Sequence, residues 1–176
     1  MDNYLTKGIQ AKIKGLAYYQ IAGGILGACL TIWLIAKTVT ITGLFLLMIL
    51  FVLGLYAFTI YCGQQLLKGD LKKALTLSII NQCLQAISFA MFGYAYKYAS
   101  GLFLSIGVDL TESLKFTFDF AFSTFQFDIN SHNENIAVRL NVFALYLIYF
   151  IDTLQEQVEN NKKRFNEMQI NEDTTM

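Results

Sequence analysis

The stretch Leu102-Phe103-Leu104-Ser105-Ile106-Gly107-Val108-Asp109-Leu110, followed after a short break by Lys115-Phe116-Thr117-Phe118-Asp119-Phe120-Ala121-Phe122-Ser123-Thr124-Phe125-Gln126-Phe127-Asp128-Ile129, alternates apolar and polar residues with period two. Successive side chains of a strand point to opposite faces, so this period predicts strands with one apolar and one polar face. Phe116, Phe118, Phe120 and Phe122 share one phase, and Phe125, Phe127 and Ile129 share the other. A slip of one residue at Ser123-Thr124 predicts a β-bulge. The simplest reading is a β-hairpin with strands at about 102–110 and 115–130, turning near 111–114, its second strand long and bulged.

A lone hairpin is marginal in water, and its edges invite pairing. Two arrangements cover it. It packs on the chain's own helices as an extracytoplasmic cap, or hairpins from identical subunits close into a barrel without edges. In such a ring the phenylalanines point to lipid or helices. Ser105, Asp109, Thr117, Asp119, Gln126 and Asp128 then face a water-filled lumen.

Around this stretch the chain is apolar. Of 176 residues 55% are hydrophobic and only 15% charged, against about 25% charged in soluble domains. The formal net charge of zero excludes a strongly basic nucleic-acid binder at the level of the whole chain. Residues 16–36 and 41–62 are apolar runs of 21 and 22 residues, long enough at about 1.5 Å per residue to cross a hydrocarbon core of about 30 Å. A third span is expected at 74–93, with Asp70 as its N-cap. A fourth is expected at 136–154, with an uncharged heart at 142–151 between Arg139 and Asp152.

The predicted fold is an α-helical membrane protein with four transmembrane helices and a β-hairpin inserted between the third and fourth. Residues 1–15 form a cytoplasmic N-terminal segment, 94–135 a β-rich extracytoplasmic segment and 155–176 a cytoplasmic helical tail. Nine lysines and arginines fall in the N-terminus, the second loop and the tail, against Lys37, Lys97, Lys115 and Arg139 on the other side. The positive-inside rule therefore puts both termini in the cytoplasm. Leu26-Gly27-Ala28-Cys29 resembles a lipobox, but the run stays apolar past Cys29, as a retained helix requires.

Ser78, Asn81, Gln82, Gln85 and Ser88 fall on one face of the third span. Amides in hydrocarbon need partners, so this face looks inward, either to interhelical hydrogen bonds or to a pore, with Ser78, Asn81 and Gln85 as lining candidates. Arg139 is a headgroup anchor or part of a ring at a pore mouth. Gly23 and Gly27 form a GxxxG pair that permits close helix approach.

Leu140, Ala144, Leu147, Ile151, Leu154, Val158, Asn161, Phe165 and Met168 are spaced four and three apart in turn, a heptad seam that runs into the polar tail. Leu147, Ile151, Leu154, Val158, Asn161 and Phe165 are the candidates for a coiled-coil oligomer contact. The other reading is an amphipathic tail lying on the membrane or on the second loop.

No chemistry-bearing constellation accompanies these features. The cysteines Cys29, Cys62 and Cys83 lie in apolar runs without metal spacing, and His132 is the lone histidine. Asp109, Asp119 and Asp128 are explained by the polar phase of the strands. The chain is read as a non-enzyme without cofactor or metal. Two functions remain open, a homo-oligomeric pore and a non-conducting scaffold that anchors a partner.

The spans 16–36, 41–62 and 74–93, followed by the alternating 116–129 segment, resemble the architecture of small membrane channel effectors of bacterial anti-phage systems, Hailong channel subunits among them. That resemblance implies a self-assembling ion channel in the bacterial inner membrane. It also implies a regulatory ligand, a nucleic acid made by a partner nucleotidyltransferase or else a protein, that holds the channel closed.

Overall fold

The computed structural model describes residues 4–37, 42–68, 70–111, 113–128 and 136–174. The expected first loop at 38–40, the stretch with His132 and the strand end at 129–130 lie outside them, as does the side chain of Asp128. Four helices and four strands follow in the order α1 (Lys7–Lys37), α2 (Gly43–Lys68), α3 (Leu71–Ala86), β1 (Ile87–Met91), β2 (Tyr94–Asp109), β3 (Lys115–Asp128), β4 (Ala137–Asn141) and α4 (Val142–Thr174).

α1 and α2 are long and apolar enough to cross a membrane, as their sequence runs predict. The expected third and fourth spans are different elements. Asp70 caps α3, accepting from the Lys72 amide at 3.1 Å, but the helix ends after 16 residues at Ala86. That is about 24 Å, short of the hydrocarbon core. Past Ala86, Ile-Ser-Phe-Ala-Met alternates as a strand, and Phe92-Gly93 turns it back with both φ positive, at 51° and 79°. Positive φ at both central residues is the twist a two-residue hairpin favours. An unbroken apolar run hides this change, because strand and buried helix look alike in it. Residues 137–141 are likewise a strand, and the last helix starts only at Val142.

The predicted two-stranded hairpin is therefore two strands of a four-stranded antiparallel sheet of order β1-β4-β2-β3, and β2 begins at Tyr94 rather than at 102. β2 pairs with β1 through Tyr94–Tyr96 and with β4 through Ser105–Asp109, while β1 and β4 pair with each other. This side of the sheet curls into a small ring of strands. β3 runs along the other edge of β2 for its whole length.

The slip read from the phenylalanines lies at Ser123. Ser100 and Gly101 of β2 stand opposite Ser123 alone, and Gly101 and Ser123 have φ of 94° and 41°. The Ser123 hydroxyl accepts from the Gly101 amide at 2.9 Å and donates to the Gly23 carbonyl of α1 at 3.1 Å, which ties the kink to the helix.

The core lies between helices. Leu147, Ile151, Leu154 and Val158 of α4 are buried against Ile9, Ile13 and Leu16 of α1 and Leu71, Ala74 and Leu75 of α3. From Ala144 to Val158 the heptad seam is thus occupied inside one chain and needs no second copy for its burial, whereas Leu140, its expected first member, is an exposed residue of β4. Of its remaining members, Asn161 and Phe165 are half-buried, and Phe165 lies 6.5 Å from the Tyr4 ring. The start of the described chain therefore meets the later part of α4 at one end of the bundle, where Lys72 also pairs with Glu159. The sheet packs on α2 through Tyr98 and Tyr56, whose ring centres are 5.3 Å apart, and through Phe127 and Phe51 at 6.0 Å.

Candidate functional site

A thread of polar side chains runs through the interior. It starts between α1, α2 and α3. Ser78 reaches Gln20 of α1 at 3.4 Å, and Asn81 accepts from Thr59 of α2 at 2.8 Å, which in turn meets the Tyr98 hydroxyl at 2.9 Å. Gln85 carries the thread into the sheet. Its side-chain oxygen accepts from the Ser100 amide at 2.7 Å, and its carbonyl accepts from the Asn141 side chain at 3.3 Å. Asn141 also accepts from the amides of Leu104 and Ala144, both at 3.3 Å, so it caps α4 while bridging to β2. The inward face expected for Ser78, Asn81, Gln82, Gln85 and Ser88 is correct, and all five are buried.

Inside the sheet the thread continues on the polar face. Directly paired residues share a face, so the register puts Ser105 with Asp119 and Asn141, and Gly107 with Thr117 and Arg139. Arg139 also stands opposite Ser88. Of the expected lining residues, Ser105, Thr117 and Asp119 come together here. Gln126 pairs opposite Lys97, and Asp128 pairs opposite Ala95 at the far end. Asp109 lies at the end of β2 opposite Lys115. Hydrogen bonds from the Thr111 hydroxyl and amide hold its carboxyl below the usual range, with Arg139 and Lys115 adding to the effect. Asp109 and Asp119 are separated by four ladder positions, about 13 Å of strand, too far to act as a carboxylate pair. Arg139 is half-buried, between Ser88 of β1 and Gly107 of β2 in the ring of strands.

Lys97 was not among the expected site residues, yet it dominates the sheet interior. Its ammonium forms an ion pair with Asp119 and sits 4.6 Å from the centre of the buried Phe103 ring. The signal was present in Tyr94-Ala95-Tyr96-Lys97-Tyr98-Ala99, where tyrosine alternates with small residues and Lys97 takes the inner phase. Gln20, Thr59 and Asn141 were missed for a different reason. Each is a single polar residue on its own element, and only the fold brings them together.

Among the described residues, seven buried side-chain atoms on this thread and beside it have no hydrogen-bond partner: Gln20 Nε2, Asn81 Nδ2, Gln82 Nε2, Ser88 Oγ, Ser100 Oγ, Ser105 Oγ and Thr117 Oγ1. Re-orienting amides does not remove the deficit. The Thr59 hydroxyl has one hydrogen for the carbonyl of Leu55 and the side chain of Asn81, so one amide atom stays unmatched either way. Among the described residues no three His, Cys, Asp or Glu side chains gather as metal ligands. Comparison with protein-family models, curated proteins and solved structures gave no match.

Proposed function

We propose that this chain is the subunit of a homo-oligomeric membrane channel, here in a closed form. The observation that carries this reading is the buried polar thread inside an apolar exterior. A buried unsatisfied polar group costs about 1–3 kcal/mol. Seven of them would consume a net stability of about 5–15 kcal/mol, so water must satisfy most of them. A hydrated interior behind a lipid-compatible surface is what a permeation path requires.

Membrane residence is supported by α1 and α2. Only 28% and 22% of their most apolar windows are buried inside the chain, unlike the core helices of a soluble protein. The expected four spans become two full-length helices, with α3, the sheet and α4 filling the remaining depth. Tyr4 and Phe165 share one end of the bundle with Lys72, which fits a cytoplasmic end. Among the described residues β3 is an edge strand, and in lipid a second copy beside it would complete the sheet. Such a channel would serve as an inner-membrane defence effector, opened when a nucleic-acid or protein ligand changes its hold.

The scaffold reading rests on one observation, that Lys97, Asp119 and Phe103 fill the sheet interior. Planar-bilayer recording separates the two. The channel reading expects discrete conductance steps from Lys97→Gln/Asp119→Asn protein, rarer or absent in the native chain. Silence from both, with folded protein shown to be inserted, would establish the scaffold.

A further inference from the structure

We infer that the outer face of the sheet is a lipid-binding surface, and that acyl chains of the bilayer lie directly on Phe116, Phe118, Phe120 and Phe122. These four rings are 85%, 70%, 56% and 59% exposed. Each pairs with an apolar residue of β2, in turn Val108, Ile106, Leu104 and Leu102, and Leu140 and Val138 of β4 extend the same face. At about 200 Å² per ring, the phenylalanines alone expose on the order of 500 Å², as much as the largest apolar patch of a typical soluble monomer. Between Phe116, Phe118, Ile106 and Leu140 the surface dips into an apolar groove of about 660 Å³, the kind of slot a hydrocarbon tail fills.

Depth argues for lipid over water. The sheet does not sit beyond the ends of the membrane-length helices. It touches α1 at Gly23, through Ser123 and Gly101, and α2 at Tyr56, through Tyr98. Gly23 lies about 14 Å of helix from Lys14 and about 21 Å from Lys37, inside the uncharged part of α1. The phenylalanine face thus begins, at Phe122 next to Ser123, beside the uncharged part of α1 from which Ile25 and Leu26 point outward. The polar groups of the sheet meanwhile turn inward, the opposite of a sheet that meets water on one side.

This inference rests on membrane residence and not on conduction, and the test keeps them apart. Trp33 is the lone tryptophan, 61% exposed on α1. The full chain is reconstituted in phosphatidylcholine vesicles with acyl chains brominated near their middle. Quenching of native Trp33 reports that α1 is in the bilayer. Phe118→Trp and, separately, Ile106→Trp are then made on Trp33→Phe.

The expected result is that each loses at least half its emission to the bromines and is inaccessible to aqueous iodide. With Trp33 quenched, iodide access at position 118 would place the face in water and overturn the inference. Shielding from both quenchers would mean that a second copy covers it, which overturns it too. Native protein labelled with a membrane-soluble diazirine needs no substitution. Label on the 115–122 peptide is expected, and its absence beside labelled α2 would count against lipid contact.

Discussion

Gly23, Gly24 and Gly27 do separate jobs on neighbouring faces of α1. A Cβ at Gly23 would lie 2.8 Å from the Gly101 amide of β2, and one at Gly24 would lie 2.9 Å from the Tyr56 carbonyl of α2. At Gly27 it would overlap the Tyr56 ring. Backbone cannot step aside cheaply, so Gly23→Ala should lower stability by about 1–3 kcal/mol, read as an earlier midpoint of denaturant unfolding in detergent. GxxxG in the sequence announced close approach, but not that one glycine receives a strand and the other a tyrosine.

Lys97 and Asp119 allow a sharper test. Their side chains are 16% and 37% exposed, between a surface pair and a buried one. Removing either partner should cost about 1–2 kcal/mol. Lys97→Gln with Asp119→Asn should cost less than the sum of the single changes, and a double-mutant cycle with no coupling would show that the pair does not hold the sheet interior. Asp119 was legible as polar-face. Its neutralisation was not, because Lys97 lies in a tyrosine-rich stretch outside the expected hairpin.

At the scale of elements, the kink at Ser123 joins three backbones. Ser123→Ala removes an acceptor for the buried Gly101 amide and a donor to the Gly23 carbonyl. A loss of about 1–3 kcal/mol is expected, together with faster amide exchange across 99–102, the measurement that checks it. The slip itself was readable, since phenylalanine spacing changes from two to three only there. What terminates α3 was not, because Ile87–Met91 continues an apolar run and only pairing with β2 and β4 makes it a strand.

The last helix shows the reverse case. Its heptad seam was visible from Ala144 to Val158, though Leu140 falls in β4 and Met168 is exposed, and periodicity names a buried face but never its partner. Here the partner is α1 and α3. Ile151→Ala should therefore cost about 2–5 kcal/mol of the chain's own stability. Thermal unfolding at several protein concentrations checks this, and the loss should not depend on concentration.

For the whole molecule, the apolar outside and polar inside of the β-segment were legible from period two alone. The number of strands and their depth were not, since both depend on contacts distant in sequence. Water inside the fold is the testable consequence. In bilayers, the amides of 103–107 should exchange with deuterium faster than those of 16–22 in α1, because orphaned Ser105 and Thr117 keep water beside them. Equal, slow exchange in both would mean a dry interior and weaken the channel reading.

On the proposed membrane residence, the shortness of α3 also dictates how the protein is made. α1 and α2 are long enough for a translocon to release them into lipid as each emerges, whereas α3, at 16 residues, is a poor substrate for that step. Its following strand Ile87–Met91 finds its β4 partner only after residue 140 has been synthesised, as the pairing of Ile87 with Leu140 requires. From Leu71 onward the nascent chain must therefore wait beside the α1–α2 hairpin and enter as one late unit. A ribosome stalled before residue 137 would hold a chain whose first two helices resist alkaline extraction while its third remains open to protease.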